Sequence, residues 1–175
     1  MGKVLRSSIN IEIVDKDGKV IGLGEKYQIH HNPVPLHRAI SVLIFDGDMV
    51  LLQRRASNKP TWPGFWSNTC CTHPFPNENY KDAAERRLFE EMEFKVPLEE
   101  KFRFIYEAKY DETWGEHELD VFFTGAYSGE VKINPKEAED CKWMDLKKLK
   151  GDIKNNPGIY TPWFKIVVAK LQEKK

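Results

Sequence analysis

Three histidines and two glutamates of this 175-residue chain are spaced so that they could bind one divalent metal ion. His30 and His37 flank a proline-containing loop, and His73 closes an aromatic, proline-rich stretch. Glu116 and Glu118 are two residues apart in a predicted strand, so both carboxylates face the same side. Three imidazoles and two carboxylates suit a five- or six-coordinate transition metal. The alternative is a set of scattered surface histidines beside a solvated glutamate pair.

A cysteine pair lies in the stretch over residues 61–74, between two tryptophans and His73. The stretch is longer than most connections in compact domains, and such loops often carry function. Cys71 could be a nucleophile or an acid/base, with Cys70 as its rival, although a buried structural thiol is the commoner fate of cysteine. Trp62 and Trp66 are expected in the core or a lid, or as an aromatic face that stabilises a cation.

Basic residues form a third candidate site. Guanidinium and ammonium groups that converge on a cleft fit a phosphate or diphosphate. An acidic pair at a helix end, Glu90 and Glu91, could hold Mg²⁺ against such a ligand. For each residue the alternative is a solvated face. The basic candidates are Lys26, Arg54, Arg55, Lys59, Arg86 and Arg87.

The overall composition excludes several classes of protein. Lys+Arg and Asp+Glu balance at 27 each, so no global field attracts nucleic acid or an anionic membrane. No apolar run approaches the ~18 residues of a membrane span. Three cysteines, two of them adjacent, make a poor disulfide framework and favour a reducing cytosol. We expect one domain over residues 1–175, located in the cytoplasm and compatible with a monomer.

Hydrophobic periodicity predicts a sheet with few helices. The order is strands, one long helix, further strands and a last helix, which indicates an α+β fold or a helix–sheet–helix sandwich. Histidines 31 and 117 are expected to face away from the metal candidates. Strands are predicted at residues 9–13, 20–23, 37–45, 49–55, 102–110, 116–126, 131–133 and 141–144. Helices are predicted at residues 80–92 and 162–171, with a helical turn at 145–149 and a loop from residue 25 into two prolines.

Several motifs together resemble type I isopentenyl-diphosphate isomerases, a branch of the Nudix fold. They span nearly the whole chain in the family's order. The motifs are Glu25-Lys26-Tyr27 to His30, Leu36-His37, Arg54-Arg55-Ala56, Trp62-Pro63-Gly64-Phe65-Trp66-Ser67-Asn68, Cys71-Thr72-His73-Pro74, Glu116-His117-Glu118 and Pro162-Trp163. The resemblance implies a Nudix-like α/β/α sandwich with a mixed sheet and additional N-terminal strands.

The resemblance also implies roles for individual residues. Cys71 would be the catalytic thiol, and a Mg²⁺ bridging the substrate diphosphate would be held by Glu91 and the Cys71 carbonyl. A second, tightly bound divalent ion (Mn²⁺, Zn²⁺ or Mg²⁺) would be held by His30, His37, His73, Glu116 and Glu118. Phosphate contacts would fall on Lys26, Arg55, Lys59 and Arg87.

The implied reaction converts isopentenyl diphosphate into dimethylallyl diphosphate in isoprenoid biosynthesis. Glu118, with Tyr106, would deliver a proton to the alkene, and the Cys71 thiolate would take one from the far side. Which of the two acts first is left open. Trp66 would shield the carbocation, and Trp163 would bind substrate and close the pocket against water.

The Nudix hydrolase motif is only partly kept. Glu78 and Arg86 fit its spacing, but Thr72 replaces its first glycine, Arg87 replaces a glutamate, and Glu93 replaces its last glycine. Two rival hypotheses remain. A Nudix hydrolase of nucleoside or prenyl diphosphates would depend on the acidic pair at the helix end and ignore the thiol. A zinc-stabilised, phosphate-sensing module would bind without turnover.

Overall fold

The computed structural model describes residues 9–173. Its strands are β1 (Asn10–Val14), β2 (Val20–Glu25), β3 (His37–Asp46), β4 (Met49–Arg55), β5 (Trp66–Ser67), β6 (Cys70–Thr72), β7 (Glu99–Lys109), β8 (Gly115–Ala126) and β9 (Ala138–Asp145). Its helices are α1 (Lys26–Ile29), α2 (Tyr80–Met92), α3 (Leu146–Asn155) and α4 (Pro162–Glu173), with a 3₁₀ turn at Pro157–Ile159. Among these helices none is long and apolar enough to cross a membrane. The predicted single domain, 1–175, extends beyond the described residues and stays a prediction.

Strand β3 is the centre of a mixed sheet. It runs parallel to β8 and antiparallel to β1, β4 and β6. Beyond these neighbours, β8 pairs with β7, while β4 pairs with β5 and β9. The first eight residues of β3 are buried, which explains why its sequence is an almost unbroken apolar run rather than an alternating one. The predicted mixed sheet is confirmed.

Helices cover both faces of the sheet, as the predicted sandwich requires. On one face, Leu88 of α2 packs in a core with Val42 of β3. On the other face, Phe164 of α4 packs in a core with Leu43 of β3 and Leu149 of α3. Successive strand residues point to opposite faces, so Val42 and Leu43 belong to different cores. The predicted α/β/α arrangement is confirmed.

Helix α2 has the predicted bounds. Asn79 caps its first turn by accepting the Asp82 backbone N–H at 2.8 Å. Phe89, an apolar residue of this helix, is 47% exposed, and the ammonium group of Lys95 lies 4.7 Å from its ring. Glu91, for which a solvated face was the alternative to a Mg²⁺ site, is only 2% exposed. A periodic pattern does not fix how far a neighbouring loop covers each side of a helix, so these two exposures do not follow from the sequence.

Short elements were missed where the sequence has no periodicity. The predicted loop over residues 61–74 contains β5 and β6, and β6 pairs with β3 through Ser41 and Cys71. Residues 26–29, predicted as the start of a loop, form α1. The turn at 145–149 continues as α3, capped by Asp145. Residues 131–133 form no strand, although Val131 and Ile133 pack against the core.

Candidate active site

Five side chains predicted for a tightly bound metal ion lie in one cluster. His30 follows α1, His37 begins β3, and His73 follows β6. Glu116 and Glu118 lie on β8, where the two-residue period places both carboxylates on one face. One potential ligand atom from each residue lies within 4.8 Å of all the others. Converging imidazoles and carboxylates of this kind fit a divalent cation.

Backbone carbonyls orient two of the imidazoles. Nδ1 of His30 donates to the Lys26 carbonyl at 2.6 Å, and Nδ1 of His37 donates to the Pro35 carbonyl at 2.9 Å. Because a carbonyl only accepts, each Nδ1 carries a proton, which in the neutral ring leaves Nε2 as the atom that can bind a metal ion. Nε2 of His37 is buried without a hydrogen-bond partner. Such an atom is rare in a folded protein, and a metal ion bound in the cluster would satisfy it.

Glu118 connects the metal cluster to a phenol. Its Oε1 lies 2.9 Å from Nε2 of His73 and 3.7 Å from Nε2 of His37, while its Oε2 accepts the Tyr106 hydroxyl at 2.6 Å. Burial opposes the charge of Glu118, but hydrogen bonds and charges of the two histidines outweigh it and hold its pKa well below the usual value. Burial and the Glu118 charge raise the pKa of Tyr106. At neutral pH the carboxyl is therefore ionised and the phenol protonated.

The two adjacent cysteines have different surroundings. Cys70 is fully buried in the core beneath α2. Cys71 lines a cavity that Tyr106 and Glu118 also line. Burial raises the pKa of Cys71 to about 12, although the charge of Arg55 opposes the shift. A raised pKa favours the neutral thiol at neutral pH, whereas the resemblance implies a thiolate that accepts a proton; the role of Cys71 stays a prediction.

The same cavity, of about 780 Å³, has a cationic end. Lys26, Arg55, Lys59 and Arg87 all line it. Burial, together with the charges of Lys59 and Arg87, lowers the pKa of Lys26, as expected for cations that share one site. Nη2 of Arg55 donates to the Thr61 carbonyl at 2.9 Å, which holds this guanidinium in place. The arrangement fits a ligand with several negative charges.

Comparisons with known proteins agree with this site. The NUDIX domain family matches residues 35–164. Isopentenyl-diphosphate Delta-isomerase 2 of Aromatoleum aromaticum is 43% identical over 152 residues, which cover 86% of this chain and 80% of the relative. The corresponding isomerase of Serratia proteamaculans is 38% identical over 160 residues, covering 91% and 89% of the two chains. The chain belongs to the isopentenyl-diphosphate isomerase family. The predicted resemblance is thereby confirmed.

Solved structures support the Nudix fold of this isomerase-family chain. A Deinococcus radiodurans protein superposes with a TM-score of 0.77 at 12% identity, covering 92% of this chain and 98% of the other. A MutT protein from Methanosarcina mazei superposes with a TM-score of 0.67 at 20% identity, covering 81% and 97%. At these identities the likeness concerns the fold alone.

Trp66, predicted to shield a cation in the isomerase reaction, lies away from the residues that line the cavity. Its ring packs against the ammonium group of Lys142 at 4.0 Å and the guanidinium carbon of Arg54 at 5.9 Å. This position follows from the pairing of Trp66 with Arg54 between β5 and β4. Trp163 does line the cavity, with its ring centroid 6.2 Å from that of Tyr106. The aromatic residues that line the cavity are Tyr27, Tyr106, Trp114 and Trp163, and Trp66, which the prediction placed there, is not among them.

Glu91, predicted to bind Mg²⁺ with the substrate, lies beside the cationic end. Its carboxylate accepts from Nε of Arg87 at 2.7 Å and from Nε2 of Gln53 at 3.0 Å. Burial raises its pKa, although the charge of Arg87 opposes the shift. Its role as a Mg²⁺ ligand with the Cys71 carbonyl stays a prediction.

The structure also separates the remaining histidines and adds a residue that sequence reasoning missed. The His31 ring packs 4.5 Å from that of Trp114, and Nδ1 of His117 donates to the Val34 carbonyl at 3.1 Å, both outside the metal cluster.

Glu137 contacts two of the cavity cations, Lys59 and Arg87. Nothing in the local sequence around Glu137 distinguishes it from a solvated glutamate, because the contact depends on the packing of distant segments.

Proposed function

We propose that this chain converts isopentenyl diphosphate into dimethylallyl diphosphate, as its relatives' names state for them. Relatives with that name are 35–43% identical over most of the chain. The observation that carries the proposal is one cavity lined by a thiol, a phenol-bound carboxylate and four cations. Moving an unactivated double bond needs an acid, a base and a diphosphate site, and this cavity offers all three.

The metal cluster belongs to this proposal through its donor set. Three histidines and two glutamates would hold a tight divalent ion, and the buried, unpartnered Nε2 of His37 supports that assignment. The bound cation would supply positive charge that favours the ionised form of Glu118. The cluster is compatible with Mn²⁺, Zn²⁺ or Mg²⁺. A second Mg²⁺ would enter with the substrate diphosphate.

Protonation states support an assignment of the acid and the base. The Cys71 thiol donates its proton to the terminal alkene carbon, so an S–H bond breaks, a C–H bond forms and a tertiary carbocation results. The charge of Arg55 favours the thiolate that is left. The ionised Glu118, oriented by the Tyr106 hydroxyl, then takes a proton from the neighbouring carbon and the double bond reforms. These roles exchange the ones that the resemblance implies, in which Glu118 delivers the proton and Cys71 takes one; which residue acts first was left open there.

The carbocation needs protection from water between these two steps. Trp163 is 3% exposed, and its indole N–H donates to Ser67 Oγ and Asn68 Oδ1, each at 3.1 Å. Those bonds hold a π-face at the cavity, where it can stabilise positive charge without adding to it. This role is the one that we first assigned to Trp66.

Hydrolysis is disfavoured by the altered Nudix motif. Arg87 stands where hydrolases have a glutamate, and it lines the cavity as a cation. Glu78 and Arg86, which fit the motif spacing, form a bidentate pair, with Nε–Oε1 at 2.7 Å and Nη2–Oε2 at 2.8 Å. A carboxylate has thus been replaced by a charge that suits diphosphate holding rather than metal-assisted attack by water.

The decisive experiment incubates the protein with isopentenyl diphosphate and Mg²⁺ in D₂O and follows the reaction by NMR. We expect migration of the double bond and deuterium incorporation in the product. Release of inorganic phosphate, or binding without alkene migration, would reject the proposal in favour of a hydrolase or a binding module. A monomeric state and a cytoplasmic location stay predictions, to be tested by light scattering and cell fractionation.

A further inference from the structure

Glu137, just before β9, places a negative charge at the cationic end of the cavity. Its Oε2 forms a short ion pair with Nζ of Lys59 and lies 2.5 Å from Nη2 of Arg87. The side chain is 18% exposed, so solvent screens the contact only partly. One carboxylate oxygen therefore bridges two of the four cations that line the cavity.

Arg87 is also held by two neighbouring carboxylates. Its Nε donates to Glu91 at 2.7 Å, and its Nη1 donates to Glu90 at 3.0 Å. With Glu137 on Nη2, every nitrogen of this guanidinium faces a carboxylate. Glu90 and Glu91 lie on the same helix as Arg87, whereas Glu137 is supplied by a distant segment and also reaches Lys59. Glu137 is thus the member of this set that links the two cations.

We propose that Glu137 makes the cavity selective for diphosphate complexed with Mg²⁺ over free diphosphate. This inference rests on the proposed function, in which the substrate carries a diphosphate. A fixed carboxylate beside the binding cations repels free diphosphate in proportion to its full negative charge. Mg²⁺ cancels two of those charges, so the complex is repelled far less. Glu137 is a specificity-determining residue in this role and contacts no reacting carbon.

Glu137 also orders Lys59 and Arg87, and that effect is separable from its charge. Ordering two cations helps any diphosphate equally, whether or not Mg²⁺ accompanies it. Repulsion by the carboxylate acts mainly on the free form. The ratio between the affinities for Mg²⁺-bound and free diphosphate therefore isolates the charge effect and is insensitive to ordering.

The test measures binding of inorganic diphosphate to the full chain by calorimetry, with and without added Mg²⁺. In Glu137→Gln, free diphosphate should bind about tenfold tighter or more, as expected for removal of one unit charge from a site of effective dielectric near 20. Binding in the presence of Mg²⁺ should change much less, so the Mg²⁺ preference falls. Glu137→Asp keeps the charge and should keep the wild-type preference.

Glu139→Gln is a matched control in the same segment. Glu139 pairs with Nε of Arg54 at 3.1 Å, away from the cavity cations, so its removal should leave both affinities unchanged. Thermal unfolding of each variant checks that the fold persists. Equal changes of both affinities in Glu137→Gln, or a loss confined to the Mg²⁺ complex, would overturn the proposal. Because diphosphate binding needs no turnover, a failed isomerisation assay and a failed preference test are distinguishable.

Discussion

Cys70 and Cys71 are adjacent in the chain, yet strand β6 places them in two different chemical settings. Cys70 packs with the apolar side chains of α2, such as Leu88, in the core on one face of the sheet. Cys71 faces the cavity on the other side, together with Glu118 and Trp163. Because strand side chains alternate, a shift of one residue separates a scaffold face from a reactive face. The comparison predicts that changes near Cys70 alter stability and changes near Cys71 alter turnover.

The largest expected effect is that of Cys71→Ala. Loss of the proposed proton donor should lower kcat by up to about 10⁴-fold, the upper range for general acid–base catalysis. Thermal stability should change little, because the thiol lies at a cavity. The measurement is the initial rate of alkene migration by NMR, alongside a melting curve.

Cys70→Ala is the matched variant on the opposite face. It should keep the isomerisation rate within about twofold while losing about 1–2 kcal/mol of unfolding free energy through an unfilled core. A Cys71→Ala protein with the wild-type rate would reject the assignment of the thiol. Loss of turnover in a stably folded Cys70→Ala protein would reject the separation of the two faces.

The rate at which iodoacetamide alkylates Cys71 should differ from that of a free thiol by about 10³-fold. With a pKa of about 12, Cys71 exposes far less thiolate at pH 8 than a free thiol of pKa 9.0, so its reaction should be roughly 10³-fold slower. Because the pKa of Cys71 is raised, its alkylation rate should keep rising up to about pH 12 instead of levelling near pH 9. Cys70 should react only on unfolding. Mass spectrometry of the labelled peptides from pH 8 to pH 10 distinguishes the two; fast labelling of Cys71 at pH 8 would contradict the burial effect.

A smaller difference in turnover is expected between variants of Trp163, which lines the cavity, and Trp66, which does not. Trp163→Phe should lower kcat about five- to tenfold, as expected for loss of about 1 kcal/mol of cation–π stabilisation in the transition state. Trp66→Phe should stay within about twofold, because its ring contacts Lys142 and Arg54 instead of the cavity. Steady-state kinetics check both variants. The opposite pattern would restore our first assignment of the cation-shielding ring to Trp66.

The local sequence pattern was sufficient to predict the long helices and strands, but not the short ones. The bounds of α2 and the buried run of β3 followed from periodicity and capping, which neighbouring residues determine. Strands β5 and β6 are two and three residues long, and they exist because they pair with β4 and β3. A short stretch of sequence does not show which distant strand it will pair with, so β5 and β6 could not be predicted from it.

The sequence identified the five residues of the metal cluster, but not the contacts and protonation states of the other site residues. The two-residue spacing in β8 placed Glu116 and Glu118 on one face. Residue type and position suggested three histidines as further ligands, and the resemblance implied the same five residues. The neutral state of Cys71 and the contacts of Glu137 depend on burial and on segments distant in the chain. Such quantities appear only once the tertiary structure is known, because desolvation is a property of the folded surroundings.

The smallest expected effect concerns the end of α2, on the scaffold face. Glu93, where the hydrolase motif has its last glycine, follows the helix with φ of +57°. A side chain there meets steric strain that glycine avoids, so Glu93→Gly should raise the unfolding free energy by up to about 1 kcal/mol and the Tm by a few degrees. Glu85→Gly, inside the same helix at ordinary helical angles, should instead cost about 1 kcal/mol. Isomerisation by both variants should match the wild type, since neither position contacts the cavity. Destabilisation of Glu93→Gly would show that other contacts of this glutamate outweigh the backbone strain, whereas a changed kcat would show that the two faces of the sheet are coupled.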